Sequence, residues 1–279
     1  MWNQLKTAMF LGVLTAMVVG IGGAMAPGYL WLFSLMAIVM NVGAYFFSDK
    51  MVLAMHGARP IDPTSRPDLH AMVEELSQNA GIPAPRLYLI PDHQPNAFAT
   101  GRNPAHGVVA VTEGILRLLP ARELRGVIAH EIGHIKNRDI LLSTIAAVLV
   151  AIIGNAANAL GWIAMTGRGR DEDDRGSAVG GLVFMLVAPI AATLVQLAIS
   201  RSREYLADAA GARISGDPEG LARALQRLHQ GAAAIPSETA VPATASMFIV
   251  NPLHGGGVAS LFSTHPAHEE RIARLLAMR

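Results

Sequence analysis

Hydrophobic residues are concentrated in three long stretches of the chain that contain no charged side chain. Positions 7–48, 140–167 and 176–200 lack Asp, Glu, Lys and Arg altogether. Each stretch exceeds the roughly 20 residues that a helix needs to cross the hydrocarbon core of a bilayer. The alternative for 140–166 and 178–200 is a pair of buried core helices, but the length of both segments favours membrane spans.

The first stretch is long enough for two spans, separated by the glycines and proline of GGAMAPG (Gly22–Gly28). We predict spans near 8–24 and 29–47, which with the two later stretches gives four transmembrane helices. Ala24-Met25-Ala26 also resembles the cleavage site of a secretory signal. The apolar core before it is longer than in such signals and a second apolar span follows at once, so we expect no cleavage.

Basic residues beside the spans predict the orientation of the chain. If all four spans cross, one side receives most of them: Lys6, Lys50, Arg59, Arg66, Lys136, Arg138, Arg201 and Arg203. The opposite side receives the loop GRGRDEDDRG at 167–176, whose arginines are a counter-signal but whose acids offset them. The balance predicts that both termini and the large polar segments lie in the cytoplasm.

The polar segments carry the periodicities of a small, mainly helical α+β domain. Predicted strands cover 86–90, 96–101 and 107–112, and predicted helices cover 67–80, 113–119, 121–139, 202–214, 218–230 and 266–278. The segment 231–258 is rich in Ala, Pro, Ser and Gly and is predicted to be a mobile loop.

The order of apolar and polar segments predicts a domain that is split by a membrane hairpin. We expect residues 1–48 to form one transmembrane hairpin and 140–200 a second, while 49–139 and 201–279 are the two parts of one polar domain. Charged residues make up 15% of the chain, against roughly 25% in soluble domains. The net charge of +1 argues against a nucleic-acid partner. The chain has no cysteine, so disulfides and thiolate zinc sites are excluded.

One predicted helix carries the H-E-x-x-H pattern of a zinc site. His130 and His134 are four residues apart, so both imidazoles project from one face of the helix. Glu131 is adjacent and can reach a zinc-bound water without being a ligand. No proline lies between Pro120 and Pro189, so this helix is predicted to continue into the third span, where Gly154 could bend it.

A catalytic zinc ion needs a third protein ligand, and the candidate is Glu204 in SRSREYLADAAGA. Ile140 lies roughly 9 Å beyond His134 along a helix, and Glu204 roughly 6 Å beyond Ser200. Since the hairpin returns the chain to the side it left, both ligand sets emerge at similar height. The alternative is that Glu204 only pairs with Arg201 or Arg203.

Six motifs in sequence order resemble the HtpX family of membrane-bound zinc endopeptidases, relatives of the CAAX prenyl proteases. They are SDK (48–50), PNAFATGRNP (95–104), VAVTEGIL (109–116), AHEIGHIKNRDIL (129–141), SRSREYLAD (200–208) and STHPAHEERI (263–272). The resemblance implies a zincin-like core of the gluzincin type in a bacterial inner-membrane protein. It implies one zinc ion per subunit held by His130, His134 and Glu204, with Glu131 as catalytic base. Asp208 would orient a ligand imidazole.

Two further groups of residues are candidates for catalysis and substrate binding. His265 and Arg271 are similar to a His/Arg pair of the wider family. We expect His265 near the oxyanion and Arg271 in electrostatic support; the alternative is a helix-capping segment with a surface arginine. The segment Asn96, Ala97, Phe98 and Ala99 is predicted to be an edge strand that pairs with an extended substrate, or otherwise a core strand with Phe98 buried.

The sequence therefore predicts an endopeptidase that acts on membrane or misfolded proteins, and the family resemblance adds a role in membrane quality control. His93, His106, His254 and His268 are expected to be ordinary surface or loop residues. A transporter is disfavoured because no span contains an ionisable side chain. An inactive metal-binding scaffold is disfavoured because a structural site has no use for Glu131.

Overall fold

The structure is a computed structural model that describes residues 2–148, 201–241, 243–252 and 266–278. The fourth predicted span, most of the third, His254 and His265 lie outside these ranges. The helices are α1 (Trp2–Met25), α2 (Leu30–Met55), α3 (Pro67–Ala80), α4 (Glu113–Leu118), α5 (Ala121–Asn137), α6 (Arg201–Ser215), α7 (Pro218–Ala234) and α8 (His268–Leu276). The strands are β1 (Arg59–Pro60), β2 (Arg86–Ile90), β3 (Ala97–Thr100) and β4 (Val108–Thr112), and residues 140–148 are also helical.

The four strands form one mixed sheet in the order β1-β2-β4-β3. Strands β2 and β4 are parallel, while β3 pairs antiparallel with β4, with Phe98 opposite Ala110. The three strands predicted from the sequence are confirmed, and β3 is an edge strand of the sheet. The two-residue β1 was not predicted because it is too short to show any alternation of polar and apolar residues.

Helix α5 occupies the centre of the polar body and packs against α3, α6, α7 and the sheet. Five apolar residues recur at the helical period along α5 and are all buried: Leu124, Val127, Ile128, Ile132 and Ile135. Helix α6 approaches α5 so closely that a Cβ atom on Gly211 would lie 2.9 Å from the backbone N and Cα atoms of His130. The absence of a side chain at Gly211 therefore allows the two helices to meet at the first histidine of H-E-x-x-H.

Helix α2 presents a broad apolar surface to the outside. Together with the preceding 3-10 turn it is long and apolar enough to cross a membrane, with a mean hydropathy of 1.8 over its most apolar window and only 11% of that window buried. Its large exposed side chains include Trp31, Leu35, Ile38, Val39 and Val42. This segment, Pro27–Met55, is the one candidate span within the described ranges, so the prediction of four spans is supported for one helix.

The prediction that the H-E-x-x-H helix continues into the third span is wrong. Helix α5 ends at Asn137, and Arg138 adopts a left-handed conformation with φ of 59°. The backbone N–H of Arg138 donates to Ile135 O, and that of Asp139 to His134 O, as in a helix C-terminus. A new helix then starts at Ile140 and packs through Leu142, Ile145 and Ala146 against Ala44 of α2.

In its described part, the predicted loop over 231–258 begins only after α7 and is hydrogen-bonded to the rest of the fold. Residues 231–234 belong to α7. Beyond them, buried Asp92 accepts hydrogen bonds from the hydroxyls of Ser237 and Thr239, at 2.6 and 2.7 Å. The amide of Gln94 donates to the carbonyls of Ile235 and Pro252. These contacts fix the segment against the loop that precedes β3.

Candidate metal centre and active site

Helices α5 and α6 bring three potential metal ligands together. The two imidazole Nε2 atoms of His130 and His134 are 3.1 Å apart, because the residues are one helical turn apart on the same face. Glu204, in the first turn of α6, places its carboxylate oxygens 3.6 Å from His134 Nε2 and 3.9 Å from His130 Nε2. Each of the three residues offers one potential ligand atom, and these three atoms lie within 4.8 Å of one another.

This donor set fits a zinc ion. Zinc–ligand bonds of about 2.0–2.2 Å in a tetrahedral arrangement separate neighbouring ligand atoms by about 3.3 Å, close to the separations observed here. Two imidazoles and one carboxylate leave a fourth position for water or substrate, as catalytic sites require. The chemistry and spacing of the donors are therefore those of a catalytic zinc site.

The first ligand, His130, lies above a buried ion pair. Its Nδ1 atom is 3.0 Å from Asp208 Oδ1. The Arg271 guanidinium donates two hydrogen bonds of 2.8 Å to the two carboxylate oxygens of Asp208. Burial would raise the pKa of Asp208, but Arg271 and His130 outweigh it and lower that pKa to about 2. Asp208 is therefore anionic and positioned to fix the orientation of the imidazole.

Arg271 is not the surface arginine of the alternative interpretation, since only 2% of it is exposed. Besides Asp208, it places Nη1 3.3 Å from Glu204 Oε2 and donates to the carbonyl of Ile249 at 3.3 Å. Burial would lower the pKa of this guanidinium, but the carboxylates of Asp208 and Glu204 outweigh burial and raise that pKa above its ordinary value. Its contacts support and orient the ligand residues; His265, predicted beside the oxyanion, lies outside the described residues.

The second ligand, His134, has a carboxylate partner that the sequence analysis missed. Asp139 Oδ2 lies 3.1 Å from His134 Nδ1. Burial would lower the pKa of His134, but Asp139, Glu204 and Glu131 raise it to about 10. The left-handed turn at Arg138 creates this contact, because it directs Asp139 back towards the last turn of α5. The signal in the sequence was an acidic residue, Asp139, directly before the apolar run at 140–167.

Glu131 faces the same small cavity as the ligands and is 1% exposed. Burial is the main cause that raises the pKa of this carboxyl to about 7, while His134 and Arg271 oppose the shift. The backbone of Ala99 on β3 donates one hydrogen bond to it, and Oε2 has no hydrogen-bond partner among the described residues. A carboxyl group of this kind is poised to exchange a proton near neutral pH.

The outer edge of β3 is covered by the chain between α7 and α8. The backbone N–H of Ile249 donates to Ala97 O, and the Asn96 side chain donates to Val250 O at 2.7 Å. The four predicted substrate-binding residues, Asn96, Ala97, Phe98 and Ala99, are all at most 5% exposed. Both alternatives for this segment therefore describe part of it: β3 is an edge strand, and Phe98 is buried.

Residues 245–250, here called the cover segment, close the space in front of Glu131. Ser246 and Met247 line a cavity of about 30 Å³ together with Ala99, Glu131, His134 and Glu204. One water molecule needs about 10–15 Å³ of such a cavity, so the cavity has room for a few waters but not for a peptide. The cover segment is held by Phe248, whose ring lies 5.0 Å from that of Phe98 and 5.1 Å from His56.

His56, which follows α2, also hydrogen-bonds Thr244 at 2.9 Å. The sequence offered no signal for this contact, because its two partners are far apart along the chain. The histidines predicted to be ordinary behave so where they are described: His93 and His106 are exposed, and His268 stacks on His229 with the ring centroids 3.5 Å apart.

Comparisons with known proteins identify the family to which this chain belongs. Residues 63–279 match peptidase family M48. Two relatives named Protease HtpX homolog match along the whole chain: that of Syntrophobacter fumaroxidans is 52% identical over all of its length, and that of Paraburkholderia phytofirmans is 53% identical over 98% of its length. The chain belongs to the HtpX group of peptidase family M48. The predicted family is thus confirmed, and the chain is a metalloprotease.

The fold of this HtpX-group member is also found in a distant solved structure. The crystal structure of Ste24p from S. mikatae matches 98% of the chain with a TM-score of 0.54 and 18% sequence identity. The matched region is 64% of the length of that protein. At this identity the similarity shows a shared fold, with the mainly helical architecture and small mixed sheet described above.

Proposed function

We propose that this M48 protein is a zinc-dependent endopeptidase in which His130, His134 and Glu204 hold one zinc ion. The observation that carries the proposal is the convergence of these three residues, from two helices that are far apart in sequence, around the buried carboxyl of Glu131. A zinc ion bound there would lower the pKa of a coordinated water and polarise the substrate carbonyl.

Glu131 is the proposed catalytic base. Its carboxylate accepts the proton of the attacking water and then donates it to the amine that leaves when the peptide bond breaks. A pKa near 7 suits both transfers, because the group can be deprotonated before the attack and protonated after it. Arg271 and Asp208 act as positioning residues, and His265 is the proposed donor to the oxyanion.

The proposed substrate site is the outer edge of β3, along Asn96, Ala97, Phe98 and Ala99. An extended peptide would replace the one main-chain hydrogen bond that Ile249 now donates to Ala97, and it would run towards Glu131 because Ala99 contacts that residue. The cover segment must move for this pairing to form. Main-chain pairing is tolerant of side-chain sequence, which suits a protease for misfolded proteins.

We further propose that the protein is anchored in the bacterial inner membrane by four spans, with the catalytic domain, formed by 49–139 and 201–279, in the cytoplasm. The exposed apolar face of α2 and the basic residues beside the apolar stretches support this placement. Its substrates would be membrane or misfolded proteins, in a quality-control role. A reporter fused after residue 170 tests the topology; cytoplasmic signal there contradicts it.

The decisive experiment compares the wild type with Glu131→Gln in detergent, by zinc content and by cleavage of an unfolded protein. We expect about one zinc per chain in both and a loss of cleavage of about 10²–10⁴-fold in the variant. Glu113→Gln, at a half-buried glutamate on α4 that pairs with Arg117, is the matched control. Equal cleavage by Glu131→Gln contradicts the assigned base, and absence of zinc from the wild type contradicts the ligand assignment.

A further inference from the structure

A groove of about 630 Å³ runs between the end of α2 and the loop that follows β3. It is separate from the catalytic cavity and has two unlike halves. Phe46 and Phe47, which are 45% and 52% exposed, form an apolar wall. The other half is basic, lined by Lys50, Arg86, Arg102 and His106.

The basic half carries more positive charge than its own acid can neutralise. Asp49 is the acid in the lining, and it accepts a hydrogen bond from Arg86 at 3.1 Å. In the described ranges of the chain, neither Lys50 nor Arg102 forms an ion pair. Arg102 instead donates to His106 Nε2 at 2.6 Å.

The aromatic wall fixes these two cations in place. The Arg102 guanidinium lies 5.3 Å from the centre of the Phe46 ring, and the Lys50 ammonium 5.4 Å from that of Phe47. Both distances are within the range of cation–π attraction. These contacts favour positions of both charges beside the groove before any ligand arrives, which reduces the side-chain entropy lost when an anion binds.

The groove lies where the chain changes from apolar to charged. The charge-free run ends at Ser48, so Phe46 and Phe47 are the last two large apolar residues of that run. If α2 crosses the bilayer as proposed above, the aromatic half faces acyl chains and the cationic half lies among the headgroups. A ligand that matches both halves is an amphiphile with a negatively charged head.

We propose that this groove binds an anionic phospholipid, with its phosphate between Lys50 and Arg102 and an acyl chain along Phe46 and Phe47. A guanidinium offers paired donors to phosphate oxygens. The bound lipid would fix the height of the catalytic body above the bilayer. The inference rests on the proposed membrane span of α2, but it does not depend on the zinc chemistry.

The test measures lipid retention by the full chain in detergent, using native mass spectrometry during titration with phosphatidylglycerol or phosphatidylcholine. We expect selective retention of phosphatidylglycerol. Each juxtamembrane charge is worth about a fivefold change in affinity, so Lys50→Gln/Arg102→Gln should bind about 25-fold more weakly. Arg213→Gln, an exposed arginine on α6, is the matched control, and Lys50→Arg/Arg102→Lys should retain most of the binding.

Three results would overturn the proposal. They are equal retention of the two lipids, the same loss in Arg213→Gln, and displacement by inorganic phosphate as effective as by phosphatidylglycerol, which would indicate a site for the free anion. Unchanged melting temperature and peptide cleavage in the groove variants show that the fold is intact. Because the readout is lipid binding, a failure here is distinguishable from a failure of the Glu131→Gln experiment.

Discussion

The parts of the site on the two sides of Glu131 are stabilised by different kinds of contact. On the ligand side, Asp208 and Arg271 form a buried, doubly hydrogen-bonded pair beneath His130. On the substrate side, β3 is covered through one main-chain hydrogen bond from Ile249 and a few contacts of Asn96 and Phe248. The first side is a charged network in which every member depends on the others. The second is an apolar and main-chain contact that a peptide can replace.

This difference shows how one protein combines a rigid centre with an entrance. Removing one charge from the ligand side leaves another buried without its partner, which is costly. Separating the cover segment from β3 exposes backbone groups that water or a peptide strand can satisfy. Substitutions on the ligand side should therefore lower stability and metal affinity, whereas those on the substrate side should change access.

The largest effect is expected for Arg271→Met, which leaves Asp208 buried without its partner. Loss of one member of a buried ion pair costs about 3–5 kcal/mol, measured as the free energy of unfolding in detergent with a chelator present. Arg274→Met is the control, because its ion pair with Glu270 is exposed to solvent and contributes little to stability. Equal losses in the two variants would contradict the rigid-centre interpretation.

Acid should weaken the substrate side through His56. Burial lowers the pKa of His56 from 6.5 to about 4, although Thr239 and Asp92 oppose it. The unfolded chain therefore binds a proton that the folded chain excludes, and stability is lost as pH falls from 6.5 to 4. The shift corresponds to about 3 kcal/mol. His56→Gln should lose that much less stability over this window, whereas exposed His93→Gln should follow the wild type.

Gly211→Ala tests the close approach of α5 and α6. The added Cβ would lie 2.9 Å from the His130 backbone, and overpacking of this kind costs about 1–3 kcal/mol. Gly43→Ala is the matched control, because open space surrounds that position in α2. If thermal unfolding shows the two variants to be equally stable, the helices tolerate a wider separation than the structure has.

Asp208→Asn should weaken the metal site with a smaller effect on the fold than Arg271→Met, because Arg271 keeps the carboxylate of Glu204 at 3.3 Å. Removing the carboxylate that orients His130 is expected to lower zinc affinity by about 10–100-fold, measured by competition with a chromogenic chelator. Asp139→Asn should act similarly through His134. Zinc affinity unchanged in both variants would mean that the two imidazoles are held by helix packing alone.

The smallest effect is expected for Phe248→Ala, which loosens the cover segment without touching a ligand. Cleavage of an unfolded protein should rise a few-fold, mainly through a lower KM, while zinc content stays the same. Tyr29→Ala, an exposed aromatic residue before α2, is the control. A fall in cleavage would instead show that the cover segment helps to form the substrate site.

The sequence predicted those features that depend on local pattern. Helix α5 and its stripe follow from a period of 3.6 residues, and the H-E-x-x-H spacing follows from one helical turn. The predicted helix at 202–214 is confirmed as α6, so Glu204 could be named before its position was known. The motifs also identified the family, because several of them occur in a fixed order.

The rest depends on contacts between distant parts of the chain. The described part of 235–252 is rich in residues typical of loops, and it is held in place by Asp92, Gln94 and His56, which no local pattern connects to it. The end of α5 was missed for a different reason. Neither glycine nor proline marks it, and Arg138 adopts a left-handed conformation that such residues rarely take.

The break at Arg138 also affects how force passes through the protein. A single rigid rod from α5 into the bilayer would act as a lever, so that any tilt forced on it by a thinner or thicker membrane would displace the histidines. If the helix that begins at Ile140 enters the bilayer as proposed above, the bend at Arg138 would reduce the transmission of such a tilt to His130 and His134. We expect the peptidase to keep the same intrinsic activity across bilayers of different thickness.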